Sequence, residues 1–139
     1  MVVFLKLVLA GAVSGVVFTL IMKLIRLTTG NKADVLFYNI DYIPILKKWS
    51  DSRVLGILFH YFFCMASAVM MHLLLIPFEY EMEIRAYIIV STVGGSILYF
   101  LTRLSKTPPA SDDHMAWLYW TLGHAIFGAC VGLMIHLLI

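Results

Sequence analysis

Residues 115–139 read MAWLYWTLGHAIFGACVGLMIHLLI, 25 positions from Met115 to Ile139 without one formally charged side chain. A helix needs about 20 mostly apolar residues to cross a hydrocarbon layer of about 30 Å, so this stretch predicts a membrane span. It also carries His124, with Gly128 and Gly132 following at four-residue spacing. An imidazole at that depth is far cheaper against protein than against lipid, so the span is expected to belong to a bundle. The remainder of the chain is then searched for its partners.

Composition agrees with that reading. Hydrophobic residues make up 62% of the 139 positions and charged residues 13%, whereas soluble domains hold about a quarter charged. The expected class is an all-α, integral membrane four-helix bundle forming one domain over residues 1–139, since no linker, charge block or repeat divides the chain. A formal charge of +2 gives no footprint for nucleic acid. Cys64 and Cys130 both fall inside apolar stretches with no metal-type spacing, and point to no redox compartment.

Four spans are expected, at about 3–25, 54–76, 86–102 and 115–138. The first is framed by Lys6 and by Lys23 and Arg26. Its apolar run continues past the small residues Ala12-Val13-Ser14, which favours a retained span over a cleaved signal peptide. Gly11, Gly15 and Thr19 give it a narrow ridge for close helix approach. In the long connection that follows, Asp34 is read as the cap of a short interfacial helix. Leu36, Phe37, Ile40 and Ile43 lie on one side of it and Pro44 ends it. The aromatics Phe37, Tyr38, Tyr42 and Trp49, with Lys47 and Lys48, suit a headgroup zone.

The second span starts from Ser50 or Asp51 as cap and ends at Pro77. Gly56, His60, Cys64 and Ser67 form its small and polar stripe. Ser91, Gly95, Leu98 and Thr102 form that of the third, which Arg103, Lys106, Pro108 and Pro109 terminate. Ser111, Asp112 and Asp113 open the fourth, where the helix dipole favours carboxylates. Its stripe is Thr121, His124, Gly128 and Gly132. The helix-packing residues expected from these stripes are Gly11, Gly15, Gly56, Ser67, Gly95, Thr121, Gly128 and Gly132.

Basic residues set the topology. Lys23 and the loops after the first and third spans hold 8 of the 10 Lys and Arg. The bias of such residues toward the inner side places loops 26–53 and 103–114 in the cytoplasm and both termini outside.

Chemistry is sparse. His60 and His124 fall at similar depths on parallel spans, about 4–5 Å apart along the axis. Two readings follow: hydrogen bonding to Thr121, Ser67 or a backbone carbonyl, or ligation of a b-type haem or metal as in an electron-transfer subunit. His72 and His136 lie twelve residues further on, about 120° around the helix, and are expected at the outer interface rather than in a second inward layer. No Asp or Glu lies within a span, which speaks against a proton-coupled exporter. Paired cysteines for a thiol oxidase are missing, and Asp34 and Asp41 read as a solvated face rather than a protease dyad. Neither cysteine has an activating cation.

Gly11-x-x-x-Gly15 with Lys23, His60 early in span two, Thr107-Pro108-Pro109, and Gly123-His124 followed by Phe127-Gly128 and Gly132 form an ordered set. The set resembles the YagU-like and YqhR-like small four-span bacterial membrane proteins. The resemblance implies a bacterial cytoplasmic (inner) membrane and transfers no catalytic residue. The proline-rich basic segment after span one and the acid before the Gly-His pair, often seen in those proteins, do not occur here. The function expected is that of a non-enzymatic accessory or stress-related membrane component, with the lipid bilayer, a second copy or another membrane protein as partner and no cofactor. The alternatives are a haem- or metal-binding bundle using His60 and His124, and a small-solute or ion pathway around His60, Ser67, Thr121 and His124.

Overall fold

The computed structural model describes residues 1–139 and contains helices and turns without strands. Four helices dominate: α1 (Val2–Thr29), α2 (Arg53–Leu75), α3 (Ile84–Leu98) and α4 (His114–Leu138). With the 3-10 turns that extend α2 to Phe78 and α3 to Leu104, each is long and apolar enough to cross a membrane. The extension matters most for α3. Its 15 α-helical residues reach only about 23 Å at 1.5 Å per residue. The six residues Tyr99–Leu104 add about 12 Å at the longer 3-10 rise.

The ends form for local reasons. Gly30 takes the left-handed conformation (φ 74°) after α1, its N–H donating to the Arg26 carbonyl, a role in which a residue without Cβ is least strained. Ser52, rather than Ser50 or Asp51, caps α2 by accepting from the Leu55 N–H. Asp113 caps α4 by accepting from the Ala116 N–H at 2.9 Å.

The helices pack in the order α2, α1, α4, α3, with broad seams between neighbours, whereas α2 and α3 barely meet. The three closed seams are built on small residues. A Cβ on Gly11 would stand 2.6 Å from the Cys64 carbonyl oxygen, and one on Gly15 2.9 Å from the Cys64 sulfur. On the α1–α4 seam a Cβ at Gly123 would collide with the Phe18 ring. Between α3 and α4, Gly95 receives the His124 side chain, Gly128 lies against the Tyr87 carbonyl and Gly132 against Ile84. Such contacts let backbones approach and collect dispersion energy that lipid cannot supply better. The outward faces are greasy, with Leu20, Phe62, Ile89 and Leu137 all exposed, a distribution inverted from that of soluble proteins.

The first connection departs from expectation. No α-helix forms between Gly30 and Ser52; two short 3-10 turns, Ala33–Phe37 and Lys47–Trp49, stand there instead. Asp34 caps nothing and pairs with Arg26 at 2.9 Å. Ala33, Phe37, Asn39 and Ile40 are buried, so the segment plugs the end of the bundle rather than lying flat at its edge. Gly56 opens α2 to it, since a Cβ there would sit 2.6 Å from the Tyr38 carbonyl oxygen. The plug is tied to the third connection: the Asn39 amide donates to Ser105 and Thr107, and Asp41 accepts from the Ser105 hydroxyl (3.1 Å) and the Lys106 N–H (3.0 Å). The first and third loops therefore share one end of the bundle.

Candidate functional site: a cavity between α2 and α3

Where α2 and α3 fail to meet, a cavity of about 430 Å³ remains. Its back wall is Phe18 of α1 with Trp120, His124 and Phe127 of α4. Along α2 the lining runs from Phe59 to Leu74, about 22 Å of helix, so the space is a slot rather than a sphere. Phe63, Met70 and Leu74 on one side and Leu98 and Leu101 on the other line the slot and are also exposed on the outer surface. It therefore opens sideways, between the helices.

Polar contacts stand at both ends of the α2–α3 gap. At the α2–α3 connection His72 is buried and its Nδ1 meets the Tyr87 hydroxyl at 2.9 Å, while that hydroxyl donates to the Glu81 carbonyl at 2.7 Å. Twelve residues from His60, His72 leaves the His60 face and lies beside the α2–α3 connection, buried against Tyr87 rather than open. His136 is exposed. At the opposite end Leu36, Phe37, Asn39 and Tyr42 of the first connection form the floor with Thr102 and Ser105.

Polarity is graded along the slot. Met70, Met71, Leu74 and Val90 line the end near Tyr87, and Asn39, Tyr42, Thr102 and Ser105 the end near the plug. Thr102 is 5% exposed and its buried hydroxyl has no hydrogen-bond partner, an arrangement that costs stability. No Asp, Glu, Lys or Arg lines the cavity. On the floor, burial first and Asp41 second raise the Tyr42 phenol above the ordinary tyrosine value. In the same connection Tyr38 is raised first by burial and then by Asp34.

His60 and His124 both line this cavity. Thr19 Oγ1 lies 3.0 Å from His60 Nε2, and Nδ1 of His124 lies 2.9 Å from the Trp120 carbonyl oxygen. A backbone carbonyl was among the expected partners; Thr19 was not, because its place on the Gly11-Gly15 ridge had marked it only as a packing residue. The rings are enclosed by aromatics, Phe37 at 4.2 Å from His60 and Phe18 at 4.7 Å from His124 between centroids. Ser67 lines the slot. Thr121 does not line it, and its buried hydroxyl is unpartnered. Ser91, on the α3–α4 seam, donates to the His124 carbonyl at 2.7 Å. No group of three His, Cys, Asp or Glu side chains comes together in a metal-binding arrangement.

Sequence reasoning found the two histidines but missed the Phe18, Phe37 and Trp120 cage and the Thr102 end. Aromatics at helical spacing in an apolar run carry no mark that separates cavity wall from core. Comparison with family models, curated proteins and solved structures gives no match to this chain.

Proposed function

We propose that this protein is a four-span membrane protein that takes a single-tailed, uncharged amphiphile out of the bilayer into the slot between α2 and α3. The open α2–α3 seam carries the reading: a site for a water-borne solute would open at a bundle end, and this one opens where lipid would stand. Its volume falls within the range of small-molecule sites, 300–1,000 Å³, and its slender form suits one tail rather than the paired tails of a phospholipid. The apolar end accommodates the tail, and the polar group belongs in the remainder of the slot, which His124, Asn39, Thr102 and Ser105 line. We place the first and third loops in the cytoplasm on the distribution of Lys and Arg. The kinship with YagU-like and YqhR-like inner-membrane proteins belongs to the same proposal.

The test uses vesicles containing protein in which Trp49 and Trp117 are replaced by Phe, leaving Trp120 in the cavity wall as the reporter. A long-chain alcohol brominated along its tail should quench Trp120 saturably. Gly94→Leu, which places a side chain where a Cβ meets nothing within 4 Å, should abolish saturation. Quenching that rises linearly and equally in both proteins would reject the site. A haem between His60 and His124 is a rival occupant with its own signature, a Soret band in the purified protein that is lost in both His60→Ala and His124→Ala.

A further inference from the structure

We infer that the ligand carries a neutral hydroxyl on an aromatic ring, a phenol or hydroquinone head on one long tail, and that His124 Nε2 receives its proton in a hydrogen bond. This rests on the slot being a ligand site, as proposed above, and comes from assigning protons to the two imidazoles. The Trp120 carbonyl can only accept, so the His124 Nδ1 that meets it carries hydrogen. In a neutral ring the other nitrogen, Nε2, is then a bare acceptor; the ring's one hydrogen bond is made by Nδ1, and the side chain lines the cavity. The Thr19 hydroxyl donates to the Gly15 carbonyl at 2.8 Å, so it accepts from His60 Nε2. That leaves His60 Nδ1 as the lone-pair nitrogen, with only the Cys64 sulfur at 3.8 Å.

His124 is therefore held with its acceptor nitrogen spare, and His60 with its acceptor facing only the weak S–H donor of Cys64. A wall offering acceptors and no cation selects a donor, not an anion. The surrounding rings select its shape: Phe18, Trp120 and His124 lie within 4.7–5.9 Å of one another by centroid, spacings at which a further flat ring finds edge and face partners. An aliphatic alcohol would satisfy the nitrogen and leave the aromatic surface poorly used. A site that offers an unpaired acceptor discriminates against an analogue that lacks the donor.

The experiment displaces the brominated alcohol from Trp120 with three competitors of equal tail length: a 4-alkylphenol, its methyl ether and an alkyl alcohol. The phenol should compete about tenfold better than the ether, the scale of one neutral hydrogen bond, and better than the alcohol. His124→Leu should remove the preference over the ether without weakening the ether itself. In wild-type protein the nitrogen NMR resonance of His124 Nε2 should shift on adding phenol and stay put with ether, which gives a reading even if the variant folds poorly. Parity of phenol and ether, or an unmoved Nε2 resonance with phenol bound, overturns the head assignment while the slot stands. Failure of every competitor and of saturable quenching overturns both.

Discussion

The α3–α4 seam and the α2–α3 seam are made from the same helix α3, yet one is the tightest contact in the bundle and the other is a void. Toward α4, α3 presents Ser91 and Gly95, and α4 answers with Gly128, Gly132 and a histidine that fits the glycine. Toward α2 it presents Val90, Leu98 and Leu101, and α2 answers with Phe59, Phe63, Met70 and Leu74. The small residues of α2, Cys64 and Ala68, are already used against Gly11 and Gly15 of α1. Where large side chains dominate both faces, they hold the backbones apart. In a bilayer no hydrophobic force would close such a gap, because leaving water would not be at stake. Gly94 is the instructive exception, a glycine whose absent side chain makes room for nothing but the cavity.

The largest break in that contrast is Gly128→Leu. A Cβ there would lie 2.5 Å from the Tyr87 carbonyl oxygen and 2.8 Å from Ser91 Cβ, and backbone cannot step aside as a flexible side chain can. The loss should exceed the ~1–3 kcal/mol usual for overpacking. Thermal unfolding in mild detergent should show it as loss of the folded species, and a variant melting like wild type would mean the seam is not rigid.

Second in size is Tyr87→Phe, which cuts the polar tie that closes the open seam at one end. It leaves the His72 Nδ1 and the Glu81 carbonyl without partners, at a cost of about 1–3 kcal/mol. Saturable quenching should weaken as well, since the seam would splay. Full stability with unchanged binding would show that the α2–α3 connection alone holds that end.

Gly94→Leu sharpens the comparison from the other side. Replacing a mid-helix glycine gains up to about 1 kcal/mol of helix propensity, and the void receives the new side chain, so stability should hold or rise slightly while binding disappears. One helix would then carry two glycines a single residue apart with opposite outcomes, Gly95→Leu unfolding the bundle and Gly94→Leu closing the slot. Equal destabilisation by both would remove the distinction between the seams.

The closed seams were legible in the sequence and the open one was not, for a physical reason. Glycines at four-residue spacing mark close approach whatever the partner, so Gly11, Gly15, Gly128 and Gly132 could be read from one chain. Phe63, Met70 and Leu74 have the same composition and spacing whether they face lipid or a cavity, because both surroundings are apolar. The plug was misread for a different reason. Phe37 and Ile40 carry an amphipathic pattern, but what fixes them is the bonding of Asn39 and Asp41 to Ser105, Lys106 and Thr107, partners more than sixty positions away. Local pattern cannot announce such a tie. The site was half visible: histidines in a span stand out as costly, whereas Thr102 looked like one more small residue on a stripe.

The smallest effect separates the plug from all of the seams. In the plug, Tyr42 is the phenol raised by burial and by Asp41 above its ordinary value of 10.0. Below that value the phenol is neutral whether the plug is seated or released, and the seated state keeps its full advantage. Above it the released phenol ionises first, so the advantage falls as pH climbs toward the seated value. Spin labels at exposed Ile45 and Lys106 should move apart between about pH 9 and pH 11, and Tyr42→Phe should reduce the change while the α3–α4 distance stays fixed in both proteins. A separation that widens equally in Tyr42→Phe would assign the release to another group, with Tyr38 beside the Arg26–Asp34 pair the next to replace.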